Sequence, residues 1–193
     1  QTDLHSHLIP EIDDGVKTWD ESLTIVKELH KLGYTKLITT PHIISNYYPN
    51  TPDLIRSQVE TLNQKVTDAG IPVEIEAGAE YFVDDHFLDQ VKNKKDLLTF
   101  GDRYILLETA FMNKPIFLEE AIFDLQAMGM KPILAHPERY AYFHSNNDSL
   151  DHLIETGVLL QININSLSGY YSKAAKRLAS ELLEKKAIHL LGS

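Results

Sequence analysis

At 193 residues, 43% hydrophobic and 24% charged, the chain has the balance of one ordinary globular domain with enough apolar material for a sizeable core. It contains no cysteine, which excludes a disulfide scaffold, a thiolate metal site and a cysteine nucleophile, and makes a reducing cytoplasm the easier compartment. A net charge of −10 argues against gripping nucleic acid through its phosphates, and no run of about 18 apolar residues is present to span a membrane.

In chain order, Thr2–Leu8 reads as a first strand; it has neither the basic start nor the long apolar stretch of a signal peptide. A helix comes next, opened by Thr18 with Glu21 three residues on, carried by Leu23, Val26, Leu29 and Leu32, and stopped at Gly33. Lys36–Thr40 is the second strand. Thr51-Pro52 starts a helix with proline at its first position, striped by Ile55, Val59, Leu62 and Val66 and ended by Gly70. Val73–Ala77 is the third strand, and a short helix lies around Asp85–Val91. Tyr104–Thr109 is the fourth strand, succeeded by a helix from about Pro115 to Met128 and then Gly129. Pro132–Ala135, a helix from Asp148 to Gly157, Leu159–Ile164, a helix over Ser172–Lys186 and Ala187–Leu191 complete the series. The strands are short and apolar, as strands buried on both faces are. Helix, glycine, apolar strand is the rhythm of repeated βα units and of a parallel sheet. Seven such strands predict a closed or nearly closed barrel within a single domain. An open doubly wound sheet is the alternative, but no glycine-rich phosphate loop succeeds the first strand.

The residues at the end of each strand and just beyond it carry the chemistry. The first strand delivers His5, His7 and then Asp13-Asp14-Gly15; the second, Pro41-His42; the third, Gly78-Ala79-Glu80; the fourth, Glu108; the fifth, His136-Pro137-Glu138-Arg139. Active sites of parallel α/β folds sit at the carboxyl ends of strands, where the βα loops converge. Imidazole and carboxylate without thiolate suit Mn, Fe, Zn or Co. His5 and His7, two apart on a strand, point to one side. Four imidazoles and three carboxylates exceed one tetrahedral site and suit two or three ions with shared carboxylates.

Each position alone has a plainer reading. A lone histidine at a strand end is more often a satisfied polar residue, Asp-Asp-Gly is a turn signal, and Glu108 can pair with Arg103. The joint pattern outweighs these. His30, His86 and His152 lie on helices, and His189 lies inside the last strand with core packing as its default. His144 is peripheral, and the pairs Tyr47-Tyr48 and Tyr170-Tyr171 fit a cleft wall or loop packing equally.

Taken in order, Asp3-Leu4-His5-Ser6-His7, Asp13-Asp14-Gly15, Thr40-Pro41-His42, Gly78-Ala79-Glu80-Tyr81, Glu108 and Ala135-His136-Pro137-Glu138-Arg139-Tyr140 resemble the PHP (polymerase and histidinol phosphatase) superfamily. More narrowly they resemble the bacterial manganese-dependent tyrosine phosphatases encoded with capsule and exopolysaccharide systems, and the resemblance runs the length of the chain. It implies a distorted (β/α)7 TIM-like barrel, the PHP fold, forming one catalytic domain over residues 1–193. It implies a centre of two or three divalent ions, manganese first: His5, His7 and Glu80 on one, Glu80, Glu108 and His136 on a second, Asp14 and His42 on a third. Arg139 would bind the substrate phosphate. The implied reaction is hydrolysis of phosphotyrosine on a protein by metal-activated hydroxide, the implied partner a polysaccharide-export tyrosine kinase with a tyrosine-rich tail, and the implied location cytoplasmic. Histidinol phosphate or another small phosphoester is the alternative substrate, and a metal-free regulatory or binding module the alternative of another class. Oligomeric state is left open.

Two departures stand out. The family completes its centre with Asp-x-His after the seventh strand, and the sequence ends at Leu191-Gly192-Ser193, where that motif would start; a domain cut short after that strand is the expectation. Some relatives carry basic residues where His42 is succeeded by Ile43-Ile44.

Overall fold

The computed structural model describes residues 1–144 and 148–192, so Ser193 of the sequence's last tripeptide lies outside the described residues. Its strands are β1 (Thr2–Ser6), β2 (Lys36–Thr39), β3 (His42–Ile43), β4 (Glu74–Ala77), β5 (Glu80–Phe82), β6 (Tyr104–Glu108), β7 (Lys131–Ala135), β8 (Leu159–Asn163) and β9 (Leu190–Gly192). Its helices are α1 (Trp19–Lys31), α2 (Pro52–Asp68), α3 (Asp85–Lys92), α4 (Leu118–Ala127), α5 (Asp148–Glu155), α6 (Ile164–Ser168) and α7 (Lys173–Glu184). Two 3-10 turns, Pro137–Arg139 and Ala141–Phe143, come after β7.

All named strand pairs are parallel. They form a sheet in the order β1-β2-β4 and another in the order β3-β5-β6-β7-β8-β9. The second and third expected strands appear as β2 and β4, and past a break each is followed by a short strand that was not expected, β3 and β5. Pro41 has no amide to donate and interrupts the ladder between β2 and β3. Gly78 makes the equivalent break between β4 and β5: a Cβ there would lie 2.9 Å from Phe100 and 3.0 Å from Thr40. Cross-links bridge the breaks, with Thr40 N donating to Ser6 O at 2.7 Å, Gly78 N to Thr39 O at 2.8 Å and Glu80 N to Pro41 O at 3.1 Å. The bends place His42 and Glu80 on short strands of their own rather than in loops. β9 lies beside β1, since a Cβ on Gly192 would be 3.2 Å from that of His5.

The helices form where capping and apolar spacing coincide. Thr18 Oγ1 accepts from Glu21 N at 3.2 Å, while Glu21 reaches back to Lys17 N rather than to Thr18 N; the expected capping box is thus closed one residue early. Thr51 caps α2 ahead of Pro52, and Ser172 caps α7. Val26, Ile55, Val59, Leu62, Leu118, Ile122, Leu125, Leu178 and Leu182 are buried in one large cluster with Leu37, Ile105, Leu107, Leu134 and Leu160 of the strands. The alternate strand residues Ile38, Leu106, Ile133 and Ala135 turn to the other face and pack with Phe100 in a second, smaller cluster. Both faces of the strands are therefore covered, as a parallel sheet requires.

Three further expectations are corrected. Ile164 opens α6 instead of ending a strand. His189 precedes β9 and is exposed, its Nδ1 accepting from Leu160 N at 3.2 Å. Arg103 donates to Met128 O, so it does not pair with Glu108.

Candidate metal centre

One cleft of about 410 Å³ is lined by His5, His7, Asp14, His42, Glu80, Glu108, His136 and Arg139 together. All eight residues singled out in the sequence thus share one cavity. His5, His7, Asp14, Glu108, His136 and Arg139 arrive from carboxyl-terminal strand ends or the segments after them, whereas His42 and Glu80 open the short strands β3 and β5 just past the breaks. In β1 the register shifts between Asp3 and Ser6, and this bulge lets neighbouring residues serve the same interior. Leu4 lines a second cavity at the amino ends of the strands and His5 lines the polar cleft. After β1 the chain folds back so tightly that a Cβ on Gly15 would meet that of His7 at 2.5 Å. After β7 the turn is made by His136 itself, a left-handed residue with φ 33° and ψ 53°, a conformation costing on the order of 1–3 kcal/mol outside glycine and concentrated at functional sites.

Glu80 is the hub, with 1% of its surface exposed. Its Oε2 lies 2.9 Å from His5 Nε2, 3.3 Å from His7 Nε2 and 3.4 Å from His42 Nδ1, and its Oε1 lies 3.0 Å from His136 Nε2. Glu108 lies 3.4 Å from His42 Nδ1 and 3.8 Å from His136 Nε2. Asp14 Oδ1 lies 3.5 Å from His42 Nε2.

The electrostatics result from crowding charges out of water. Burial opposes ionisation of Glu80, but the His5 charge and hydrogen bonds from His136, His5 and His7 win and hold its carboxyl well below the usual range. Burial, with the Glu80 charge beside it, pushes Glu108 up to about 8. Burial likewise pushes His136 down to about 4 against its hydrogen bond to Glu80. Burial opposes charge on His7 too, yet hydrogen bonds to Asp13 and Glu80 outweigh it and raise the ring to about 10.

Three trios bring one ligand atom each to within 4.8 Å of one another: His5, His7 and Glu80; His7, Asp14 and His42; and His42, Glu80 and Glu108. Among the described residues, buried His42 Nδ1 and His136 Nδ1 have no hydrogen-bond partner. Nitrogen and oxygen donors converging around a shared buried carboxylate, with the unpartnered His42 Nδ1 facing both Glu80 and Glu108, fit divalent ions of the Mn, Fe, Zn and Co group. The first trio matches the grouping expected from resemblance. The others place His42 closer to Glu80 and Glu108, and His7 closer to Asp14, than that grouping did.

Several residues carry more than their motifs disclosed. Asp13, seen in sequence only as part of a turn, sets its Oδ2 2.6 Å from His7 Nδ1 and accepts from His42 N at 3.0 Å. Gln161 Oε1 accepts from His5 Nδ1 at 2.9 Å. Both leave Nε2 facing the centre, the usual arrangement behind a metal-binding imidazole. Glu138 is buried away from the cleft and accepts from Asn163 N and Ser166 Oγ, at 3.0 and 2.6 Å. His144 Nε2 donates to Glu138 O at 2.8 Å, so it braces this turn. Of the tyrosine pairs, Tyr171 lines the cleft and Tyr48 stacks 5.8 Å from His42, while Tyr47 and Tyr170 are exposed. Phe111 lines the cleft with no signal in the sequence beyond its place in the loop after Glu108.

The family model for capsular polysaccharide synthesis proteins of the CpsB/CapC type matches residues 1–193. The chain belongs to the CpsB/CapC family. It is 33% identical to the tyrosine-protein phosphatase YwqE of Bacillus subtilis (strain 168), over 99% of this chain and 75% of that protein. The putative tyrosine-protein phosphatase CapC of Staphylococcus aureus is 28% identical over the same shares, and the tyrosine-protein phosphatase CpsB of Streptococcus pneumoniae 26%, over 99% of this chain and 81% of its own. A crystal structure from work on YwqE and Streptococcus pneumoniae CpsB, described as unique metal-dependent tyrosine phosphatases, superposes with a TM-score of 0.91 at 32% identity, covering 100% of this chain and 78% of that one. Among the described residues no helix is long and apolar enough to cross a membrane.

Proposed function

We propose that this member of the CpsB/CapC family is a metal-dependent protein-tyrosine phosphatase, a phosphoric monoester hydrolase. The observation that carries the reading is the buried Glu80 carboxylate shared by four imidazoles in the cleft that Arg139 also lines. His5, His7 and Glu80 would hold one ion; Glu80, Glu108 and His136, with His42 close by, a second; Asp14 and His42 a third, with manganese as the preferred metal. Divalent ions held there supply charge neutralisation and a bound water acidic enough to act near neutral pH. Asp13 and Gln161 keep His7 and His5 in the tautomers that present Nε2. Arg139 takes the phosphoryl oxygens, where a planar fork of donors suits phosphate. A tyrosinate leaving group, with a pKa of about 10, needs little help from a general acid.

The nearness of β9 to β1 supports a distorted seven-stranded barrel, counting β2–β3 and β4–β5 as one bent strand each, and a single catalytic domain over the chain. The substrate would be the tyrosine-rich tail of a capsule-system kinase, in the cytoplasm.

Purified protein loaded with manganese should hydrolyse a phosphotyrosine peptide far faster than histidinol phosphate. His136→Ala should abolish turnover while the far-ultraviolet dichroism stays that of the wild type. Loss of neither activity nor bound metal in His136→Ala would remove the second ion from the proposal. A wild-type protein that ignores Mn, Fe and Zn alike would remove the catalytic reading altogether.

A further inference from the structure

The guanidinium of Arg139 is gripped by rings. Its Cζ lies 4.4 Å from the ring centroid of Tyr171 and 4.7 Å from that of Phe111. Among the described residues, no carboxylate pairs with it and its side chain makes no hydrogen bond. The three residues come from three places: Phe111 from the loop after β6, Arg139 from the end of the turn after β7, and Tyr171 from the link between α6 and α7.

Neither ring is independent of the imidazole cluster. Tyr171 Oη accepts from Asn163 Nδ2 at 3.1 Å, Asn163 Oδ1 accepts from Gln161 Nε2 at 3.0 Å, and Gln161 Oε1 accepts from His5 Nδ1 at 2.9 Å. An unbroken chain of hydrogen bonds therefore joins the ring against Arg139 to an imidazole of the centre. Phe111 stacks on His136 with centroids 6.2 Å apart and planes 25° off parallel.

A carboxylate partner would occupy the in-plane N–H fork of the guanidinium and compete with any phosphoryl group for it. An aromatic face attracts the cation without using those donors. A ring-held arginine thus keeps its place while its hydrogen-bonding edge stays available, and less freedom is lost when an anion arrives.

We propose that Phe111 and Tyr171 are positioning residues that hold Arg139 ready for the phosphoryl group, and that the Tyr171–Asn163–Gln161–His5 chain sets Arg139 at a fixed distance from the imidazole cluster. This rests on the phosphatase reading above.

The test uses the manganese-loaded protein with Phe111→Leu, Tyr171→Leu, Phe111→Tyr, Tyr171→Phe, Arg139→Ala and the double variant Arg139→Ala/Tyr171→Leu. Bound manganese is counted for each. Three quantities are read: the binding constant of phenylphosphonate, a non-hydrolysable aryl phosphoryl group, by calorimetry, and KM and kcat on p-nitrophenyl phosphate. Each leucine variant should bind phenylphosphonate roughly three- to tenfold more weakly, as the loss of one cation–π contact allows, with KM rising more than kcat falls. Phe111→Tyr should restore the wild-type constant. Tyr171→Phe keeps the ring but drops the hydroxyl, and should fall between the wild type and Tyr171→Leu. In the Arg139→Ala background, Tyr171→Leu should cost nothing further. Wild-type binding in both leucine variants, or a full additional loss in the double variant, overturns the proposal while leaving the phosphatase reading intact. A wild-type protein that neither binds phenylphosphonate nor turns over the ester overturns both.

Discussion

Leu4 and His5 are neighbours in β1, yet they serve opposite ends of the sheet. Leu4 joins Ile38, Phe100, Ile133 and Leu190 on the apolar wall of a cavity of about 530 Å³ at the amino ends of the strands, with Lys36 paired to Glu76 at its edge. His5 joins the cluster around Glu80 at the carboxyl ends. β7 makes the same division, with Ile133 at the apolar end and His136 just past the other, and β6 makes it with Leu106 and Glu108. The two ends are held by different physics. The apolar end gains from removing surface from water, is tolerant in direction and needs no partner. The polar end loses solvation at every charge and offsets that loss only through geometry. Stability should therefore reside in the first and chemistry in the second, and each can be perturbed without the other.

The largest expected effect is at the hub. Glu80→Gln keeps the shape of the side chain and removes the charge that four imidazoles share. Phosphotyrosine-peptide turnover should fall by roughly 10³-fold or more, the scale at which preorganised electrostatic groups contribute, and the urea midpoint of the metal-free protein reads what the shared carboxylate contributes to the fold. A large loss of midpoint alongside activity would show that the polar end also holds the fold together.

The converse substitution is Phe100→Ala. Phe100 is buried, packs 6.1 Å from the Tyr104 ring and backs onto the bend at Gly78. Truncation should destabilise the protein by about 3–5 kcal/mol, read from urea unfolding, with kcat/KM per folded molecule nearly unchanged. A matching drop in kcat/KM would mean that the bend transmits packing at Gly78 to Glu80, two residues on, and the division between ends would fail there.

Legibility in the sequence divides along the same line. Period and punctuation were enough for the alternation of strand and helix, because apolar spacing and helix-start residues are local: Thr51 caps α2 ahead of Pro52, and α7 opens just after Ser172, where the sequence placed its start. The residue types that line the cleft were legible because His and Glu recur after strands. The breaks at Pro41 and Gly78 were not, since a bend is decided by what packs beneath it, here Phe100 and Thr40. Phe111 and Asp13 were missed for the same reason. Nothing in a loop sequence says that its ring will lie against an arginine 28 positions later, or that the first of two adjacent aspartates will turn back to His7 while the second faces the cleft.

Asp13 gives the subtlest test, because it acts on the centre in two opposing ways. It accepts from His7 Nδ1 at 2.6 Å and so presents Nε2 as a ligand; losing such a partner weakens metal binding by about 10–100-fold. It also helps, with Glu80 and against burial, to raise the His7 ring to about 10. At neutral pH the metal-free ring is therefore protonated, and an ion must displace that proton. The proton competes more strongly as pH falls and ceases to compete only above the ring's pKa. Asp13→Asn keeps an acceptor of the same shape but removes the charge, so the ring's pKa falls and proton competition eases. The orientation loss persists at every pH, whereas the easing helps the variant most at low pH. Manganese affinity measured by calorimetry from about pH 6 to pH 8.5 should thus rise more steeply in the wild type, and the deficit of Asp13→Asn should widen as pH rises. A deficit that is constant over this range would mean Asp13 orients His7 without controlling its proton; no deficit at the upper end would mean it does not orient the ring at all.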